Sequence, residues 1–222
     1  MSHFKKLLLL YVFIGFSNTQ AGSYEDFFRA LELDRTEPIQ ELLNRGFDPD
    51  SPNPQGQPAL ILAMQKGSVK TVQVLVNWPR TNLNIQNMQG ETPLMLAAIQ
   101  NNMDWAKLMI ARGADVNRSG WTPLHYAASK GHVEMMRLLL EHNAYLDASS
   151  PNGTTPLMMA AQYGSPMATK LLLEEGADPR LRNKLGLSAW DFANKAPVKE
   201  DTLAYLQAFL AVWQERYPTQ KP

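Results

Sequence analysis

"GWTPLHYAASKGH" runs from Gly120 to His132. Taken alone it holds the ingredients of a nucleophile–base arrangement, Ser129 beside His125 or His132. It is also punctuated by a glycine, a Thr-Pro, an Ala-Ala and a second glycine. That punctuation recurs along the chain, and the recurrence decides the reading. "GQPALILAMQKG" starts at Gly56, "GETPLMLAAIQN" at Gly90, "GTTPLMMAAQYG" at Gly153, and a degenerate "GLSAWDFANKA" at Gly186. The leading glycines are 34, 30, 33 and 33 residues apart.

A second block follows each first block: "VQVLVNWPRTNLN", "AKLMIARGADVN", "MRLLLEHNAYLD" and "TKLLLEEGADPR". "IQELLNRGFDPD" (Ile39 to Asp50) matches this second block upstream, with "YEDFFRALELD" as its preceding helix. The residue types explain the pattern. Thr caps a helix start, and Pro suits the first helical position, where a missing N–H costs nothing. Leu94, Leu124 and Leu157 read as core knobs. The pairs Ala97-Ala98, Ala127-Ala128 and Ala160-Ala161 let neighbouring helices approach closely. Gly131 and Gly164 end the first helix of their units. Met109-Ile110, Leu139-Leu140 and Leu172-Leu173 form the apolar stripe of the second helix, and Gly46, Gly113 and Gly176 close it.

These residues resemble the ankyrin repeat, G-x-T-P-L-H-x-A-A-x-x-G-H followed by a Leu pair and G-A-D-x-N. The resemblance covers about Ser23 to Ala211 and implies an all-α solenoid of stacked helix-turn-helix units joined by short hairpin-like loops. It divides residues 22–216 into a helix pair (23–50), repeats led by Gly56, Gly90, Gly120 and Gly153, and a capping unit from Gly186, with 217–222 as a flexible tail. The departures carry expectations. The 34-residue spacing fits one extra residue near Pro79, and the 30-residue spacing predicts a clipped hairpin at "ADVNRSGW". Ser23 and Asp26 form an expected capping box. The final helix is expected over about Lys199 to Arg216. Trp105 and Trp190 fall on core-facing positions.

The first residues read as an export leader. Lys5 and Lys6 precede "LLLLYVFIGF" (Leu7 to Phe16), and Thr19 and Ala21 are the small residues expected before a cleavage after Ala21. Ten apolar residues rise about 15 Å as a helix, half of a roughly 30 Å hydrocarbon core. The expectation is therefore a cleaved leader, a periplasmic or secreted protein, and no stable membrane insertion. Removing Lys5 and Lys6 from the 21 basic residues leaves 19, against 21 acidic ones. A nucleic-acid binder normally carries a basic surplus, so nucleic acid is not an expected partner. The chain has no cysteine, which excludes disulfides and thiolate chemistry. Apolar content of 45% and charged content of 19% suit a folded chain.

His125 occupies a slot that holds Ile61, Met95 and Met158 in sister repeats, so it reads as framework rather than as a catalytic base. His132 stands where the ankyrin pattern itself has His, and His142 lies near the end of a second helix. No catalytic residue, metal ligand or cofactor site is assigned. A soft-metal stripe of Met64, Met95 and Met158 with His125 is the alternative from a different class; methionines at helical spacing otherwise serve as pliable core filler. Asn117-Arg118-Ser119 and Asn152-Gly153-Thr154 fit the glycosylation triplet and read as turn residues.

The resemblance places a protein partner on the loop tips and the exposed side of each first helix. Carried over by position, that face is Gln57, Gln65 and Lys66, then Met88, Gln89, Glu91, Ile99 and Gln100. The third repeat gives Arg118, Trp121, Ser129 and Lys130, the fourth Asn152, Thr154, Gln162 and Tyr163, and the cap Lys184 and Leu187. Trp121 is a candidate anchor, with packing onto the shortened hairpin as its other reading. The resemblance to exported bacterial ankyrin proteins suggests a scaffold, or an accessory or immunity-type partner of a periplasmic enzyme or toxin.

Overall fold

The computed structural model describes residues 22–163 and 165–216. The leader read into residues 1–21, the helix-ending role of Gly164 and the tail 217–222 lie outside the described residues. The chain divides between Pro93 and Leu94 into two compact units. Among the described residues the elements are helices, with a single isolated bridge between Pro52 and Pro58.

The first unit holds α1 (22–32), α2 (Thr36–Asn44), α3 (Ala59–Lys66) and α4 (Val69–Asn77). Ser23 lies within α1, not at its N-cap, so the expected Ser23–Asp26 capping box is not the start of this helix. The unit's end is closed by rings: Phe27 stacks on Phe47 at 4.4 Å and meets Phe28 edge-on. Burial of Leu31, Ile39, Leu43, Leu60, Ile61 and Leu75 supplies the core. Asp34 serves as a remote cap. Its carboxylate accepts from the backbone N–H of Thr71 (2.8 Å) and Lys70 (3.2 Å) in the first turn of α4. After α4 the chain turns through Trp78–Thr81, where Thr81 N–H donates to Trp78 O. Pro79 lies inside this turn, and this accommodates the extra residue of the long spacing.

The second unit holds α5 (Pro93–Ile99, of which Pro93 falls at the boundary), α6 (Met103–Ala111), α7 (Pro123–Lys130) and α8 (Val133–Glu141). It continues with α9 (Pro156–Gln162), α10 (Pro166–Glu174), α11 (Ala189–Ala193) and α12 (Glu200–Arg216). First helices pack on first helices, α7 on α9 and α9 on α11; second helices form the other layer, α8 on α10 and α10 on α12. The Ala-Ala pairs at 97–98, 127–128 and 160–161 are wholly buried between them. On the second helices the expected pair Leu172-Leu173 is buried in α10, whereas in α6 and α8 the buried stripe is shifted. Met109 and Leu139 are fully buried, but Ile110 and Leu140 are only half-buried. Trp105 with Ala106, and Met135 with Met136, complete the stripe one turn earlier. Trp105 is buried as expected, whereas Trp190 is half-buried.

The second helices α2, α6, α8 and α10 end on a left-handed residue, with φ of 95° at Gly46, 87° at Gly113, 62° at Asn143 and 99° at Gly176, whereas α4 ends on extended Trp78. Asn143 is the non-glycine residue of this series, and Asn tolerates this region better than most side chains. The degenerate cap keeps its own start signal. Ser188 Oγ accepts from Asp191 N–H, and the Asp191 carboxylate accepts from Ser188 N–H at 2.8 Å, a complete capping box.

Three residues are missing from one hairpin, and the hydrogen bonds show which. A full hairpin opens on Asn or Ser. Asn53 N–H donates to Gln57 O, Asn87 N–H to Glu91 O, Ser150 N–H to Thr154 O and Asn183 N–H to Leu187 O. Three residues before its glycine the third repeat also has an Asn, Asn117, but this one does a different job. Its Oδ1 accepts from Tyr145 N–H (2.7 Å) and its Nδ2 donates to Asn143 O (2.6 Å). Asp50 binds Asn82 N–H, and Asp147 binds Asp178 N–H, in the same way. Those two aspartates sit six residues before their glycines, so Asn117 is the equivalent of Asp50 and Asp147. The deleted residues are the hairpin's first arm and its Asx anchor.

Candidate functional site

The stretch Gly120–His132 now has positions. His125 is fully buried in α7. Thr122 N–H donates to its Nδ1 (3.2 Å), with Thr122 Oγ1 2.8 Å from the same nitrogen. Nδ1 is therefore an acceptor and the ring proton sits on Nε2, which donates to Thr154 O at 2.9 Å. The imidazole caps its own helix and bridges to the next repeat. Burial lowers its pKa to about 4, outweighing the carbonyl contacts that favour the cation. His132 Nε2 lies 3.1 Å from Ile99 O and ties α8 to the preceding repeat. Ser129 Oγ donates to Tyr126 O, not to either histidine. Nothing here couples a nucleophile to a base. His142 is the C-cap residue of α8. Met95 and Met158 are buried in the second unit's core and Met64 in the first unit's, as packing residues.

Trp121 is half-buried, its ring centroid 5.2 Å from that of His125 in a T-shaped pair at 78°. It also lines an open pocket of about 310 Å³ with Ile99, His125, Tyr126, Ser129, Met159 and Tyr163. The packing partner of Trp121 is thus the His125 ring of α7, and the tryptophan also lines the pocket. The pocket joins Ile99, Trp121, Ser129 and Tyr163 from the expected face. Gln100, Lys130, Asn152, Gln162 and Lys184 are exposed, and Arg118 and Leu187 are half-buried. In the first unit Gln65, Lys66, Met88 and Gln89 are exposed, Met88 by 80%. Gln57 and Glu91 are half-buried, and their side chains are bound to the hairpin anchors Asn53 (3.0 Å) and Asn87 (2.8 Å).

Thr154 departs from the expected face. It is 3% exposed, its N–H is held by Ser150 Oγ and its carbonyl takes His125, so its side chain is not available to a partner. Asn117 of the glycosylation triplet is likewise engaged through its side-chain amide with Asn143 and Tyr145.

Two pocket residues, Tyr126 and Met159, were not among the expected ones. They share one slot, which holds Leu62 and Leu96 in sister repeats. Both of those leucines are buried, while Tyr126 and Met159 are half-buried. The change of size within the slot was the available signal.

A family model described as ankyrin repeats (3 copies) matches residues 27–120 and 114–183. The nuclear factor NF-kappa-B p105 subunit of Gallus gallus is 31% identical over 156 residues, which are 67% of this chain and 16% of that protein. The ankyrin repeat and KH domain-containing protein mask-1 of Caenorhabditis elegans is 36% identical over 126 residues, 54% of this chain and 5% of that protein. The chain thus spans a small part of the curated relatives it matches. A crystal structure of an ankyrin repeat domain from Acinetobacter baumannii AYE superposes with a TM-score of 0.71 at 24% identity, over 82% of this chain and 95% of that one. That likeness concerns the fold. The repeat frame, the buried Ala-Ala pairs and the layered helix pairs all agree with the match, and the chain belongs to the ankyrin repeat family.

Proposed function

We propose that this protein is a non-enzymatic scaffold, exported to the periplasm by cleavage after Ala21, that binds another protein through its hairpin tips and the exposed sides of its first helices. Ankyrin repeats generally mediate protein–protein interaction, and that supports the class of function. One observation carries the choice of face. The aromatic pocket at Trp121 opens among the hairpin and first-helix residues, and the residues that vary between repeats are exposed around it. The histidines that suggested chemistry are consumed as structural links. Among the described residues, no helix is long and apolar enough to cross a membrane.

Site-specific photo-crosslinking tests the face. A photoreactive residue at Gln162, exposed at the end of α9, is expected to give a covalent adduct with a second protein in intact cells. The same residue at Glu134, exposed on α8, is expected to give none. Adducts from Glu134 alone, or from neither position, would sink the reading. Mass measurement of the protein from a periplasmic fraction tests export, with an N-terminus at Gly22 expected; an intact Met1 in the cytoplasmic fraction rejects it.

A further inference from the structure

The charges of the second unit are segregated. Residues 94–101, 118–133, 149–163 and 182–187 make up its hairpins, the first helices α5, α7 and α9 and the adjoining turns, and they contain no Asp or Glu; the capping first helix α11 carries Asp191, which pairs with Arg182 at 3.3 Å. The four stretches do contain Arg118, Lys130, Arg182 and Lys184. The other carboxylates of the unit sit on the second helices and the loops after them, as at Asp104, Asp115, Glu134, Glu141, Glu174 and Glu175. On α5, α7 and α9 and the hairpins before α7 and α9 the charged residues are therefore basic, in a chain near neutrality overall. The Trp121 pocket lies among these elements, with Lys130 next to Ser129 and Arg118 three residues before Trp121.

The lining fixes the occupant further. Trp121, Tyr126 and Tyr163 supply aromatic surface, and Ile99 and Met159 supply aliphatic surface. The hydroxyl of Ser129 is already spent on Tyr126 O. A volume of about 310 Å³ is at the small end of ligand pockets, which span about 300–1,000 Å³, and suits one large side chain. Aromatic faces also attract cations. No carboxylate lines this pocket, so a Lys or Arg would find no anion to pair with there.

We infer that the Trp121 pocket receives a single large apolar side chain, such as Phe or Leu, carried on an acidic segment of a partner protein. The inference rests on the proposed scaffold role and names the chemistry of what the scaffold holds. The acidic flanks meet the exposed Lys130 and Lys184 and steer the approach, while the apolar side chain anchors on Trp121.

The test uses the full chain and fluorescence anisotropy of a short labelled peptide, Phe at its centre and Asp and Glu on both sides. One control peptide keeps Phe between Lys and Arg, and a second keeps the acidic flanks around Gly. Saturable binding of the acidic Phe peptide alone is expected, weakening as salt rises. Trp121→Ala is expected to weaken it about tenfold. Lys130→Glu, at an exposed helix end that leaves the core intact, is expected to weaken it and flatten the salt dependence. Glu134→Gln is expected to change nothing. Absence of saturable binding, equal binding of the basic or the Gly peptide, or indifference to both Trp121→Ala and Lys130→Glu overturns the inference. A crosslinked partner whose affinity ignores Trp121 and Lys130 also overturns it and leaves the scaffold role standing; loss of the crosslink at Gln162 removes the scaffold role itself.

Discussion

Acid should weaken this protein at a buried histidine. His125 is fully buried, neutral, and tied by Nδ1 to Thr122 and by Nε2–H to Thr154 O. In the unfolded chain a histidine titrates near 6.5, and burial lowers it to about 4 in the fold. The folded pKa is depressed, so the unfolded state binds more protons between these values, and stability falls as pH falls through that window. At 1.36 kcal/mol per pH unit the full effect is about 3 kcal/mol, of which about 2 kcal/mol is lost between pH 7 and pH 4.5. The assay is urea unfolding of the wild type and His125→Met at both values. Met occupies this slot at Met95 and Met158, so volume and helix propensity are respected. At pH 7 the variant should be less stable by about 1–3 kcal/mol, because Thr154 O and Thr122 N–H lose their partner. At pH 4.5 the gap should close or reverse. Carboxylates that also titrate there, such as Asp147, whose pKa burial raises, and Asp178, whose pKa the hydrogen bond from Arg180 lowers, are common to both proteins and cancel. Parallel loss in the two proteins on acidification would refute the reasoning.

Other substitutions probe the frame. Gly131→Ala places a side chain at φ 69° and drives its Cβ into the Ser165 hydroxyl, whereas Gly67→Ala at φ 73° meets open space. Urea unfolding should show a loss of about 2 kcal/mol at Gly131 and about 1 kcal/mol at Gly67, and equal losses would dismiss the Ser165 contact. Asn117→Ala removes both links to the next repeat and should cost about 1 kcal/mol; hydrogen exchange at Tyr145 N–H should speed up, and an unchanged rate counts against the link. Ser188→Ala breaks the capping box of α11 at a cost of about 1 kcal/mol, and Ser188→Thr should restore it by thermal melting.

The repeat frame was legible because each of its residues does a local job. Thr122, Pro123 and Ala127 act within their own helix or against the same slot of a neighbour, so aligning copies reveals them. What crosses from one copy to another was hidden. The His125 link runs to a backbone carbonyl, and every residue has one, so no residue type at position 154 announces it. For the same reason Thr154 looked like a variable tip residue: its side chain differs from Gln57, Glu91 and Leu187, and nothing local shows that it is buried. Ser23 failed differently. A capping pair was present in sequence, but α1 already includes Ser23. Tyr126 and Met159 were missed because an apolar residue in a core slot is expected; only its size was unusual.

The clipped hairpin connects these threads. In full hairpins the residue after the glycine is held down by the anchor at the start of the turn, as Gln57 is by Asn53 and Glu91 by Asn87. In the third repeat the anchor is deleted, and Asn117, which now precedes the glycine at the anchor's distance, is turned to Asn143 and Tyr145. Trp121 stands in the released slot. It has no anchor to bind, and it packs in a T-shaped pair on His125 while lining the pocket with Tyr126 and Tyr163. A polar residue in that slot would lose the partner its sisters have, whereas an aromatic one gains a histidine ring to pack on. The deletion that breaks the period and the tryptophan that breaks the pattern are thus one feature. They make the Trp121 pocket a property of this chain rather than of the repeat. A three-residue insertion after Asn117 that restores a Ser- or Asn-led turn should therefore bring the chain back over Trp121 and abolish binding of the acidic Phe peptide with little loss of stability.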